Sequence, residues 1–206
     1  SSSINSHVTY INKCIEFNIN FLCEKPFIYE SSHNNFEICK KIINSCIKKD
    51  IYFNVQTQWV YGIDQIKKFF DENINKISLY MGFYNESTDI YYYIKEFIPH
   101  FNSIIIFLLG YQNISNISFN LNSFPKIIKF NYGKVLIEYK LGNPEKKDVI
   151  FTINEKKFKR IVDENYNQSF INDNKVLKIN DPFFLSIKNF INRTPLITYK
   201  DILKNI

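Results

Sequence analysis

The chain has 206 residues, of which 45% are hydrophobic and 22% are charged. This balance excludes a disordered tail, a collagen-like chain and a disulfide miniprotein, and it is sufficient for a globular core. The net charge is +6, but only two arginines are present, Arg160 and Arg193, and the lysines are scattered. Because arginine supplies the fork that recognises phosphates and bases, we expect no nucleic-acid partner. The lysines still favour attraction of a phosphorylated cofactor or an acidic substrate.

The cysteines and the apolar runs indicate the compartment. The chain has four cysteines, Cys14, Cys23, Cys39 and Cys46, and none shows the Cys-x-x-Cys spacing of a zinc or redox site. We expect reduced, buried thiols and a cytoplasmic protein. The longest apolar run, 104–109, is far shorter than the ~20 residues that span a bilayer, and no signal-peptide pattern opens the chain. These features predict no membrane contact.

The first part of the chain alternates between helical and strand-like patterns. The predicted elements are a helix over 7–18, a strand over 19–23, a helix over 34–49 and a strand over 51–55. Ser31 or Ser32 can cap the second helix, with Phe36 on its inward face. The alternation predicts parallel strands joined by a crossover helix, so residues 1–57 are interpreted as the end of a parallel α/β unit.

Beyond residue 57 strands predominate. The predicted elements are a helix over 62–73, a strand over 76–84, a helix over 92–109, and strands near 114–121, 126–131, 134–141, 148–153 and 156–163. Short turns at 131–133, 141–144 and 154–155 join neighbouring strands and predict an antiparallel sheet. Asp181-Pro182 starts a terminal helix. Residues 58–206 are therefore expected to form an α+β domain. The predicted fold class is α/β plus α+β, a parallel unit followed by a predominantly antiparallel sheet with flanking helices.

Lys25 follows the first predicted strand. Ligands of open α/β sheets bind outside the carboxyl ends of the strands, and a following proline restricts the backbone there. An ammonium group held in such a crevice can donate or accept a proton. The alternative interpretation is a strand-end lysine that points to solvent.

Several passages extend this observation in a fixed order along the chain. They are Ser3-Ile4-Asn5-Ser6-His7, Glu24-Lys25-Pro26, Gln58-Trp59-Val60-Tyr61, Glu96-Phe97-Ile98-Pro99-His100 and Asn180-Asp181-Pro182-Phe183-Phe184. This order resembles the Gfo/Idh/MocA family of NAD(P)-dependent oxidoreductases, named for glucose–fructose oxidoreductase and inositol dehydrogenase. The first, second and fourth passages are similar to the family's Thr-Pro-Asn-x-x-His, Glu-Lys-Pro and Asp-x-x-x-His patterns. The resemblance covers essentially the whole chain. It implies that residues 1–57 are the C-terminal part of a Rossmann-like dinucleotide-binding domain and that residues 58–206 form an α+β domain for substrate binding and oligomerisation.

The resemblance implies roles for individual residues. Lys25 matches the lysine that contacts nicotinamide and substrate and assists proton transfer, and His100 matches the proton relay or general acid/base. An imidazole suits this role because its ordinary pKa of about 6.5 lies near operating pH. Glu96 stands where the family has Asp, and its extra methylene moves the carboxylate. The implied substrate-binding residues are Glu96, Trp59 and Gln58. The implied cofactor-binding residues are Ser3, Asn5, His7, Glu24, Lys25 and Pro26, with no metal.

The resemblance also implies the partners: NAD or NADP, a small-molecule polyol or sugar substrate such as a sugar, nucleotide sugar or cyclitol, and a homo-oligomer formed through the antiparallel sheet. The sequence contains no Gly-x-Gly-x-x-Gly fingerprint. We therefore expect the chain to correspond to about the last two-thirds of such an oxidoreductase and to bind NAD(P) weakly or not at all by itself. One alternative is a non-catalytic truncated member that acts as an assembly or ligand-binding partner, and another is an unrelated α+β binding protein.

Overall fold

The computed structural model describes residues 6–28, 34–70, 73–82, 90–142 and 148–198. The helices are α1 (His7–Glu16), α2 (Asn35–Lys48), α3 (Gln58–Ile66), α4 (Ile90–Leu109) and α5 (Pro182–Ile191), and a 3-10 turn covers Lys67–Phe69. The strands are β1 (Phe21–Cys23), β2 (Phe53–Val55), β3 (Lys76–Met81), β4 (Ile114–Asn120), β5 (Lys126–Tyr132), β6 (Val135–Leu141), β7 (Val149–Ile153), β8 (Lys156–Val162), β9 (Gln168–Asn172) and β10 (Lys175–Ile179).

The N-terminal part contains a small parallel sheet, as predicted. Strands β1 and β2 pair in parallel, with Phe21 opposite Phe53, and α2 connects them. The apolar side chains of both strands and both helices form one core, in which Cys39 and Cys46 are fully packed. All four cysteines are free thiols, and Cys14 is partly exposed. The βαβ unit predicted from the alternating pattern is confirmed.

The start of α2 differs from the prediction in two details. Asn34 caps the helix, because its side chain accepts a hydrogen bond from the backbone N–H of Phe36 at 3.2 Å. Ser31 and Ser32, predicted as caps, lie outside the described residues. Phe36, predicted to face inward, is 38% exposed. Helical periodicity places Phe36 on nearly the same side of α2 as the buried Ile43, but Phe36 lies in the first turn, at the end of the helix, where it stays exposed.

The C-terminal part is an eight-stranded sheet with the order β10-β9-β8-β7-β3-β6-β5-β4. Every pair is antiparallel except β3 with β6. The short turn predicted between β6 and β7 is therefore wrong as a hairpin, because β3 lies between these two strands. Ile77, Leu79 and Met81 explain its central place: all three are buried on the inner face, and the centre of the sheet offers an apolar strand the most burial.

Helices α3 and α4 cover the inner face of this sheet. The helix predicted over 62–73 begins earlier, at Gln58, and ends at Ile66. Trp59, Val60 and Ile63 are buried with Ile66 on the packed side, so tertiary packing extends the helix toward its N-terminus. Beyond the 3-10 turn, Phe70 has an extended backbone, which ends the helical region before 73.

Strands β9 and β10 were not predicted from the sequence. Half of their side chains are polar, and only Phe170 among them is fully buried. Asp173, with φ of 52°, lies in the turn between them, where Asp tolerates the left-handed conformation. The overall class, a small parallel unit followed by a large, mostly antiparallel sheet with flanking helices, is confirmed. Within the described ranges, no helix has the length and apolar character that crossing a membrane requires.

Candidate active site

The turn after β1 carries Lys25 and is held in place by a side chain of α1. The Lys25–Pro26 peptide bond is cis. His7, in the first turn of α1, is only 4% exposed, and its Nδ1 lies 3.0 Å from the carbonyl oxygen of Pro26. Because a carbonyl oxygen can only accept a hydrogen bond, this nitrogen carries a proton and donates the hydrogen bond to the turn. The same nitrogen lies 3.6 Å from the sulfur of Cys23.

These contacts give His7 a positioning task that its sequence pattern did not specify. A cofactor role for His7, Glu24 and Pro26 stays a prediction. The other two residues predicted to bind cofactor, Ser3 and Asn5, lie outside the described residues. The thiol of Cys23 is a poor nucleophile, because burial foremost, and then the charge of Glu24, raises its pKa to about 12.

Lys25 is directed at α4 rather than at solvent. Its Nζ donates to the Oε2 of Glu96 at 2.7 Å and to the backbone carbonyl of Glu96 at 2.9 Å. The side chain of Lys25 is 14% exposed and that of Glu96 38% exposed. The solvent-facing alternative for Lys25 is therefore wrong, and the carboxylate of Glu96 is engaged by this lysine.

His100 lies one turn after Glu96 and is 7% exposed. Burial foremost, and then the positive charge of Lys25, lowers the pKa of His100 to about 3. The resting imidazole is therefore neutral at pH 7 and less basic than the ordinary histidine that the sequence suggested. Its Nδ1 is buried without a hydrogen-bond partner among the described residues. The ring meets the indole of Trp59 edge-on, with centroids 6.3 Å apart.

A cavity of about 180 Å³ joins these residues. This volume exceeds the ~150 Å³ cavity that holds a benzene molecule, so it has room for one ring-sized group. The cavity lies beyond the carboxyl end of β3 and is lined by Lys25, Gln58, Trp59, Met81, Gly82, Glu96, Phe97, His100, Val149 and Arg160. Thus all residues proposed from the sequence for catalysis and substrate binding meet in one place, although Lys25 and Glu96 are 71 residues apart.

Arg160, on β8, also belongs to this cavity and was missed as a site residue. Its Cζ lies 5.0 Å from the ring centroid of Trp59, and its Nε donates to the Oε1 of Gln168 at 3.0 Å. A signal was present in the sequence: Arg160 is two residues after the fully buried Phe158, so strand alternation places both on the inner face. An inward arginine on a strand indicates a functional or paired charge.

Lys25 also borders a second cavity, of about 250 Å³, whose wall is mostly apolar and includes Pro26, Phe27 and Pro99. Lys25 thus borders both this apolar cavity and the candidate active site. A larger cavity, of about 390 Å³, lies beside β4. It contains neither Lys25 nor His100, so we assign the candidate active site by the convergence of titratable side chains rather than by volume.

No protein-family model matches the sequence, and no curated protein matches it. Solved structures do. UDP-N-acetylglucosamine 3-dehydrogenase GnnA from Acidithiobacillus ferrooxidans superposes with a TM-score of 0.70 at 10% identity, over 98% of this chain and 72% of that chain. The WlbA (WbpB) dehydrogenase from Thermus thermophilus, in complex with NAD and UDP-GlcNAcA, gives 0.68 at 8% identity, over 99% and 67%. An oxidoreductase from Agrobacterium radiobacter, in complex with NAD+, L-tartaric acid and magnesium, gives 0.66 at 11% identity, over 99% and 72%.

The chain has the fold of the Gfo/Idh/MocA-type oxidoreductases. This confirms the architecture that the resemblance implied. The superpositions establish the shared fold, and because the identities are only 8–11%, the chemistry has to be argued from the site of this chain.

Proposed function

We propose that this chain supplies the Lys/His catalytic side of an NAD(P)-dependent oxidoreductase acting on the alcohol group of a sugar, nucleotide sugar or cyclitol. In this proposal residues 1–57 complete a dinucleotide-binding domain and residues 58–206 form the substrate domain. The observation that carries the proposal is the meeting of Lys25, Glu96 and His100 in one ring-sized cavity. Two proteins of the same fold, the UDP-N-acetylglucosamine 3-dehydrogenase GnnA and the WlbA dehydrogenase in complex with UDP-GlcNAcA, support the substrate class.

Alcohol oxidation needs a group that takes the hydroxyl proton. His100 is neutral, so its imidazole can accept this proton. Its low basicity in the resting site is offset as negative charge develops on the substrate oxygen, because an anion beside an imidazole favours the protonated form. Lys25 has three N–H donors, of which Glu96 occupies two. The third is available for the substrate oxygen, whose negative charge it would stabilise.

The chain's own residues fit one end of the cofactor. Lys25, Pro26 and Phe27 border the apolar cavity, which suits an uncharged face of a nicotinamide ring. The sequence has five glycines and no glycine-rich fingerprint, so a pyrophosphate contact by this chain is not proposed. When bound, the cofactor supplies the hydride acceptor.

The test measures turnover by the full-length protein with NAD+ or NADP+ and a panel of sugars, nucleotide sugars and cyclitols. The readout is the absorbance of the reduced nicotinamide. We expect Lys25→Met and His100→Gln each to lower kcat by about 10²- to 10⁴-fold, the usual contribution of a general acid or base. Lys41→Met is the matched control, because Lys41 is exposed on α2.

Unchanged turnover in Lys25→Met would remove Lys25 from the mechanism. If the full-length protein binds a sugar but neither binds nor reduces NAD(P)+, the non-catalytic ligand-binding alternative replaces the enzyme. Titration of nicotinamide fluorescence against the 206-residue chain alone is expected to show weak binding or none.

We also propose that two copies pair through the outer face of the eight-stranded sheet. The helices α3 and α4 pack on its inner face, whereas Leu136 and Val176 lie on the outer face with 39% and 57% exposure. Sedimentation equilibrium of the full-length protein and of a Val176→Glu variant tests this pairing. A dimer that persists unchanged in the variant would contradict an interface centred there.

A further inference from the structure

The charged side chains that line the candidate active site have a net positive charge. Lys25 and Glu96 form an ion pair at 2.7 Å, and His100 is neutral. Arg160 is the remaining titratable side chain in the cavity wall. No carboxylate of the described residues lies within salt-bridge distance of its guanidinium. The nearest acid that acts on it is Asp181, and Gln168 intervenes, because it donates to the Oδ1 of Asp181 at 3.3 Å. The cavity wall therefore keeps one positive charge.

The guanidinium of Arg160 is half-buried and has two neighbours among the described residues. The Trp59 indole lies against it at 5.0 Å, and its Nε is used by Gln168. Among the described residues, no other group accepts a hydrogen bond from Arg160, so its two terminal amino groups keep their donors. A cation removed from water without a close counterion is unfavourable. An arginine with both terminal groups available is the side chain that binds carboxylate or phosphate through two parallel hydrogen bonds.

The indole of Trp59 contacts both the charged Arg160 and His100, the proposed proton acceptor. Arg160 stacks over its ring, and His100 meets the same indole edge-on. A substrate whose anionic group lies on Arg160 therefore has its next ring atoms near His100 and Lys25, within a cavity that holds one ring.

We propose that Arg160 binds an anionic group of the substrate, a carboxylate or a phosphate, so that the substrate is an acidic sugar or a phosphorylated sugar rather than a neutral polyol. This inference rests on the proposed function for the reaction, but the anion site itself can be measured by binding alone. In this arrangement Arg160 determines which hydroxyl is presented, and Lys25 with His100 handle its proton.

The experiment compares glucuronate, UDP-glucose and glucose as ligands of the full-length protein by calorimetry. We expect one of the two anionic sugars to bind at least about tenfold more tightly than glucose, the value of a charge-assisted hydrogen bond. Arg160→Met should abolish this preference, and Arg160→Lys should retain only part of it because lysine lacks the fork. Preference for glucuronate assigns a carboxylate ligand, and preference for UDP-glucose assigns a phosphate.

Arg193→Met is the matched control. Arg193 also stacks on an aromatic ring, with its Cζ 5.4 Å from the Tyr52 centroid, but it does not line the cavity. If Arg160→Met does not fold, Arg160→Lys decides, since it keeps the stem and the charge. An equal affinity of the wild type for all three sugars, or an anion preference that survives Arg160→Met, would overturn the inference.

Turnover with NAD(P)+ separates the two proposals. If Arg160 binds the anionic group of the substrate, Arg160→Met raises KM for that substrate by about ten- to a hundredfold and changes kcat much less. If binding depends on Arg160 but neither the wild type nor any variant shows turnover, the anion site is supported and the proposed reaction is refuted. Turnover with the same KM for acidic and neutral sugars supports the reaction and refutes the role of Arg160.

Discussion

His100 makes the stability of this protein sensitive to mildly acidic pH, and His100→Gln should remove that sensitivity. In the folded chain, burial first and Lys25 second keep the imidazole neutral, with a pKa of about 3. In the unfolded chain it protonates near pH 6.5. Below that pH the unfolded state binds more protons than the folded state, so the free energy of unfolding falls as the pH falls. Above pH 6.5 the two states bind the same number and His100 contributes no slope.

The size of the effect follows from the linkage relation. Each proton bound only by the unfolded state changes the free energy of unfolding by about 1.4 kcal/mol per pH unit. Between pH 7.5 and pH 5.0, His100 should therefore account for a loss of about 2 kcal/mol. Glu138 adds little in this window. Burial raises its pKa, but hydrogen bonds from Lys140, Lys129 and Ser78 and the charge of Lys140 outweigh burial and hold it at about 2, so its effect appears at lower pH.

The assay is urea unfolding at a series of pH values, with the wild type and His100→Gln measured in parallel. The difference in slope isolates His100 from the other titrating groups. His100→Asn serves as a second variant if glutamine perturbs α4, and the midpoint at pH 7.5 reports any cost of the substitution itself. Equal pH dependence of wild type and variant between pH 7.5 and 5.0 would refute the assignment of His100 as a neutral, desolvated imidazole.

Two further predictions concern the fold. Phe151 is 0% exposed, whereas Phe184 is 60% exposed, so Phe151→Ala should lower the free energy of unfolding by about 3–5 kcal/mol and Phe184→Ala by less than about 0.5 kcal/mol in urea titrations. Equal losses would contradict the packing. The side chain of Asp181 caps α5 by accepting from the N–H of Phe183 at 2.9 Å, so Asp181→Ala should cost about 1 kcal/mol. Thermal unfolding measures it, and an unchanged melting temperature would exclude the cap.

Local patterns predicted most elements because their physical causes are local. Strands β1 and β2 and the helix between them follow from a periodicity that is visible within ten residues. The order of the large sheet does not, because the position of β3 between β6 and β7 depends on which strand gains most from central burial. Strands β9 and β10 were missed for the related reason that little of their packing is complete: Phe170 is fully buried, whereas Leu177 and Ile179 are only partly buried against the core.

The candidate site, like the fold, has features that the sequence could predict and features that it could not. The types of residue at 25, 96 and 100 could be selected through the resemblance, but their contacts join parts of the chain 71 residues apart. No spacing rule predicts that the carboxylate of Glu96 turns to Lys25 or that burial makes His100 weakly basic. Arg160 could have been found by strand alternation from Phe158, yet its relevance requires knowing that Trp59 lies across from it.

The glutamate at position 96 has a physical reason in this arrangement. The resemblance expects the shorter aspartate there, and the extra methylene raised the question of where its carboxylate goes. In the structure the carboxylate reaches Lys25 at 2.7 Å, while the backbone carbonyl of the same residue holds the same ammonium at 2.9 Å. Two acceptors from one residue fix the direction of Lys25 and neutralise its charge within the cavity. In the proposed mechanism, this neutralisation leaves the electrostatic selection of a substrate to Arg160 and the third N–H of Lys25 to the proton chemistry.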